Sequence, residues 1–75
     1  MDKHTIESML VQLAVLCKKA MFKTTSGYEA EYAAAIGRET QTTLKNIDSY
    51  SEVELLNIVA QAKRYMSEMN TIISA

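Results

Sequence analysis

Seventy-five residues with a formal net charge of −1 make one domain at most, and that charge excludes a strong nonspecific grip on nucleic acid or on an anionic membrane. The single cysteine, Cys17, and the single histidine, His4, exclude an intrachain disulfide and a Cys/His zinc cluster. At 48% hydrophobic and 23% charged the chain belongs with folded globular proteins, yet a core of this size supplies only about 3–5 kcal/mol, so self-association or a partner is the expected further source of stability.

The chain has no proline, and its only glycines are Gly27 and Gly37. Apolar residues at Ile6, Met9, Leu10, Leu13, Leu16, Cys17, Ala20 and Met21 recur at steps of three and four, which predicts an amphipathic helix over about 3–22. Asp2 or Thr5 is placed to cap its start. Lys18, Lys19 and Lys23 gather at its end, where the negative pole of the helix dipole favours cations. The stretch Lys23-Thr24-Thr25-Ser26-Gly27 reads as a turn.

Ser26 followed by Glu29 has the spacing of a capping box and opens a second helix, about 27–46, through Tyr32, Ala33, Ala35 and Ile36. Gly37 costs about 1 kcal/mol relative to alanine inside a helix, and Thr40, Thr42 and Thr43 are poor helix formers. This segment therefore either runs through to Asn46 or breaks at Gly37. Ser51 with Glu54 makes another capping box, with Tyr50 and Leu55 in staple positions. It opens a third helix, about 52–74, with one stripe formed by Leu55, Ile58, Val59, Ala62, Tyr65, Met66, Met69, Ile72 and Ile73. Short connections favour antiparallel neighbours. The expected fold is a single all-α domain over residues 1–75, either a small antiparallel three-helix bundle or a long helical hairpin with a bent middle helix. Leu13, Leu55, Val59 and Met66 are expected in its core.

No catalytic set stands out. Cys17 lies on the apolar face with Leu13 and Met21 and reads as a small core residue. Glu29 and Glu31, like Glu52 and Glu54, are two residues apart and point to different sides of a helix. No Gly-rich phosphate loop and no metal-ligand spacing is present, so neither an enzyme nor a cofactor is expected. The longest apolar run, Val11 to Cys17, is interrupted by Gln12 and falls well short of the roughly 20 residues of a membrane span. Asp2 and Glu7 break the pattern of a signal peptide, and with the free thiol this favours the cytoplasm.

Two features exceed what one core requires. Val11 and Val15 widen the first helix's apolar stripe, and Leu56 stands outside that of the third. Surplus apolar area in so small a chain marks a docking surface or a dimer seam, and Met9, Met21, Met66 and Met69 suit an adaptable interface. The expected function is a non-enzymatic protein-interaction module, such as a small adaptor, escort chaperone or inhibitor. It would bind a larger protein through Val11, Val15 and Leu56, and it is expected to form a dimer.

In the run from Tyr32 to Asp48, Ala33 stands four residues before Gly37, Thr40 follows, and Thr43-Leu44 precedes Ile47-Asp48. This order resembles the helix-turn-helix of Cro/C1-type repressors. The resemblance implies an alternative, a DNA-binding regulator using residues 33–48, with Gln41, Thr42 and Lys45 facing the groove, where glutamine reads adenine. The chain departs from that pattern in a turn one residue longer and in the lack of a glycine after Ile47-Asp48. Glu39 and Asp48 also offset Arg38 and Lys45, where a DNA reader has a basic face. A break at Gly37 would favour this alternative.

Overall fold

A computed structural model describes residues 2–75. Three α-helices, α1 (Lys3–Lys23), α2 (Gly27–Lys45) and α3 (Glu52–Ser74), are joined by a turn and by a 3-10 helix over Ile47–Ser49. Each start is fixed by a side chain that accepts from an otherwise unpaired backbone N–H. Asp2 accepts from Thr5 N, Ser26 from Glu29 N and Ser51 from Glu54 N. At α3 the capping box is complete, with Ser51 N donating to the Glu54 carboxylate at 2.8 Å. At α2 only half of it forms. The Glu29 carboxylate accepts from the Thr24 hydroxyl at 2.5 Å instead, and Thr24 in turn accepts from Ser26 N. Thr24 thus relays the bond that the Ser26–Glu29 spacing predicts as direct.

The second helix does not break at Gly37. It runs without interruption from Gly27 to Lys45, so the bent-hairpin alternative is not the architecture, and the physical reason is packing. A β-carbon at Gly37 would lie 3.6 Å from Cys17 Cβ. Ala33 beside it is fully buried, as is Ala20 across the crossing. Small residues on both helices let them approach closely, and burial there outweighs the local propensity cost. The threonines do not compete with the helix either. The hydroxyls of Thr40 and Thr43 donate to the carbonyls of Ile36 and Glu39, one turn back, at 2.8 and 2.9 Å.

The helices run up, down and up. An ion pair between Lys3 and Asp48 brings the start of α1 to the connector after α2. The Tyr32 hydroxyl donates to Glu68 at 2.7 Å, bringing the start of α2 to the last third of α3. Ile6 lies with Leu55 and Val59, and Val15 and Phe22 lie with Ile73, so α1 and α3 are parallel. The molecule measures 38 × 18 × 16 Å, its long axis set by α3, whose 23 residues span about 34 Å at 1.5 Å each.

The architecture is a three-helix bundle with α1 as its spine: α1 packs along both neighbours, which scarcely meet each other. Accordingly α1 gives Ile6, Leu10, Leu13, Cys17 and Ala20 to the core. From α2 come only Ala33, Ile36 and Thr40, and from α3 come Val59, Ala62, Met69 and Ile72. Ile47, from the 3-10 turn, closes the end of the core near the connector. Leu13 and Val59 are buried as expected. Leu55 and Met66 lie at the edges of the α3 stripe and are half-buried, and Ala35 faces solvent.

Two substitutions test this packing in opposite directions. Gly37→Ala is expected to raise stability by about 0.5–1 kcal/mol, because the helix gains propensity and the new methyl meets Cys17 at ordinary contact distance. Leu13→Ala is expected to cost about 2–5 kcal/mol, enough to unfold a domain with so little in reserve. Urea denaturation monitored by circular dichroism reads both, and an unchanged midpoint for Leu13→Ala would place that side chain outside the core.

Candidate functional site

The helical period gives α1 a second apolar line on the side opposite its buried stripe. Val11 and Val15 lie there, 52% and 49% exposed, and Phe22 continues the line two turns on, 79% exposed. Lys18 stands between them in the series. Phe22 and Lys18 border two shallow grooves at once. One, between α1 and α2, is lined by Ala14, Met21, Ala34 and Gly37. The other, between α1 and α3, is lined by Val15 and Ile73 with Lys19 and Lys23 at its rim. Leu56, 65% exposed, sits near the other end of α3 beside Glu52, Ile6 and Val59. Val11, Val15 and Leu56 therefore all project into solvent, the first two on one line and Leu56 on the neighbouring helix.

Several exposed apolar side chains are not among the residues the sequence singles out: Phe22, Tyr28 and Val53. Phe22 was legible in principle, since it falls seven residues after Val15. Tyr28 and Val53 occupy first turns of helices, where the periodic pattern is too short to assign a face.

The region resembling the repressor motif has a different geometry. Gln41, Thr42 and Lys45 are exposed along α2. Residues 33–45, however, belong to one helix, so the turn placed at Gly37 and the separate second helix of the Cro/C1 pattern are not formed. Gln41 borders the groove between α1 and α2. Asp48, the acidic residue at the end of the run, pairs with Lys3.

Several groups with chemical potential have structural roles. Cys17 is buried, and burial pushes its thiol up, away from the reactive thiolate. Asp2, Glu29 and Glu54 serve helix starts, while Glu68 holds Tyr32. Among the described residues no group of three or more His, Cys, Asp or Glu side chains could hold a metal ion. No helix among them is long and apolar enough to cross a membrane. The cleft between α2 and α3, floored by Leu10 and Leu13 and walled by Thr40, Thr43, Ile58 and Tyr65, has a volume of about 60 Å³. Sites for small organic ligands run from about 300 Å³ upward, so this cleft is too small for one. Comparison with known proteins returns nothing similar: no family model matches the chain, and no curated protein or solved structure does.

The hydrogen bond to Glu68 pushes the Tyr32 phenol up to about 12. The folded chain thus holds this proton more tightly than the unfolded chain, whose phenol titrates near 10. The contribution to stability is complete below pH 10 and is lost as pH rises through about 12. Ultraviolet titration is expected to show one of the four tyrosines ionising late, and Tyr32→Phe to remove that step alone.

Proposed function

We propose that the protein is a non-enzymatic protein-interaction module, acting as a small adaptor, escort chaperone or inhibitor, and that it works by burying the outer face of α1 against another polypeptide. The observation that carries this reading is the line of Val11, Val15 and Phe22 on a helix whose opposite side already fills the core. Aliphatic and aromatic anchors spaced along one helix face are the pattern of helix-in-groove recognition. The flanking grooves at Gly37 and Ile73 provide recesses for a partner's side chains. Leu56 extends the apolar area onto α3. Such an interface, with apolar anchors at its centre and lysines at its rim, gains most of its affinity from desolvation and little from charge.

Salt dependence and point variants test this against a nucleic-acid role. The tagged protein is expected to capture a protein partner from its native host in a complex only weakly sensitive to salt. Val15→Glu and Leu56→Glu are expected to lose that partner while remaining folded. Gln41→Ala/Lys45→Ala is expected to retain it. A genomic-fragment selection run alongside gives the opposite result if α2 reads DNA: one enriched duplex, lost in Gln41→Ala/Lys45→Ala, with log affinity falling steeply and linearly with log salt. That outcome would replace the present reading.

A further inference from the structure

Charge is not spread evenly along the outer face of α1. At one end of the bundle the apolar line is flanked by Lys18, Lys19 and Lys23, with Arg38 beside the groove that α2 forms with α1. At the other end the flanking charges are mainly acidic. Glu7 lies one turn before Val11, and Glu52 lies beside Leu56 on the adjacent start of α3, with Glu54 a further acid in that first turn. Of the two lysines at this end, Lys3 is held by Asp48, and Lys45, the exposed last residue of α2, is outnumbered by Glu7, Glu52 and Glu54. The face therefore has an apolar middle, Val11 and Val15, between a basic end and an acidic end.

We infer that the occupant of this face in the isolated protein is a second copy of the chain, packed antiparallel, with α1 of each copy running against α1 of the other. This rests on reading the outer face of α1 as a protein-docking surface and goes further by naming what covers it. A two-fold axis between Val11 and Val15 sets Val11 of each copy against Val15 of the other. The same operation brings Glu7 opposite Lys18 of the second copy. Glu52 and Leu56 then come over its Lys23, Phe22 and Ile73. One rotation thus matches both charge and apolar area, as an isologous interface requires. A parallel arrangement would instead stack Lys18, Lys19 and Lys23 on their own copies and Glu7 on Glu7, and like charges across an interface exclude it. The outer face runs the 21 residues of α1, about 31 Å at 1.5 Å each, and is widened on the α3 side by Leu56 and Ile73. A chain with so small a core also has the most to gain from such burial.

Sedimentation equilibrium over a dilution series is the test, with circular dichroism confirming that every variant is folded. Wild type is expected to be a dimer and Val15→Glu a monomer. Glu7→Lys alone and Lys18→Glu alone are each expected to weaken the dimer roughly tenfold, since each places like charges opposite one another twice. Glu7→Lys/Lys18→Glu in one chain is expected to restore it, because the reversed charges again oppose each other across the antiparallel axis. Orientation is read independently by oxidising an equal mixture of Val11→Cys and Val15→Cys chains, in which the native thiol of Cys17 is buried. The mixed disulfide is expected, and links between two Val11→Cys chains would overturn the antiparallel arrangement. A wild-type chain that stays monomeric throughout would overturn self-pairing altogether. The docking reading is judged separately: if the monomeric chain captures a host protein that Val15→Glu loses, the face binds a different polypeptide.

Discussion

One helix in this protein serves two neighbours. Because α2 and α3 scarcely touch, neither can bury its apolar stripe without α1, and the side chains of Leu10, Leu13 and Cys17 hold the two outer helices to a common centre. Small residues meet where α1 packs on α2: Gly37 lies against Cys17, and Ala20 and Ala33 are fully buried. Close packing in that region keeps α2 continuous despite an interior glycine and several threonines. The buried hydroxyl of Thr40 donates to its own helix, and no buried side-chain polar atom among the described residues is left without a partner.

The same constraint shapes the surface. A helix flanked by two others has a buried side and an open side, and on α1 the open side is not polar. Lysines account for three of its last six residues, yet they frame Phe22 rather than replace it. A solvated helix face would place charges where Val11 and Val15 stand. The interest of the molecule lies in that departure: Cys17 is buried in the core, and Asp2, Glu29, Glu54 and Glu68 are held in local hydrogen bonds, whereas this apolar line projects into solvent.

Local signals in the sequence anticipated much of this fold. Ser26 and Ser51 announce two helix starts, and Asp2 or Thr5 the first, because a cap is satisfied within four residues of itself; the structure selects Asp2. The apolar stripes of α1 and α3 announce their buried sides because they persist for many turns. What failed was non-local. Gly37 reads as a possible break when only propensity is considered, and as a contact site once Cys17 is opposite it. Ala35 and Ala33 cannot be told apart by composition, since the packing of α1 alone decides which is enclosed. Leu55 and Met66 share the period of Val59 but sit at the margin of the contact. On the outer face, Val11, Val15 and Leu56 were visible as surplus. Phe22 falls on the same line, seven residues after Val15, but stands among lysines in the last turn, where the surplus no longer reads as one face.

The lopsided contacts of α1 also bear on how the chain closes. Its partners in α2 lie across a three-residue connection, so bringing them together restricts little of the unfolded chain. Its partners in α3 lie beyond the whole of α2, and loop-closure entropy grows with that separation, though slowly. Connectivity thus assists the first pairing more than the second, and α3 is held by side-chain packing together with the Tyr32–Glu68 hydrogen bond. The relay from Ser26 through Thr24 to Glu29 strengthens the contrast, since it fixes the α1–α2 turn without any contribution from α3. In connectivity the molecule is a helical hairpin with a third helix docked on it, and Val59, Ala62 and Met69 are the buried side chains that α3 brings to that seam.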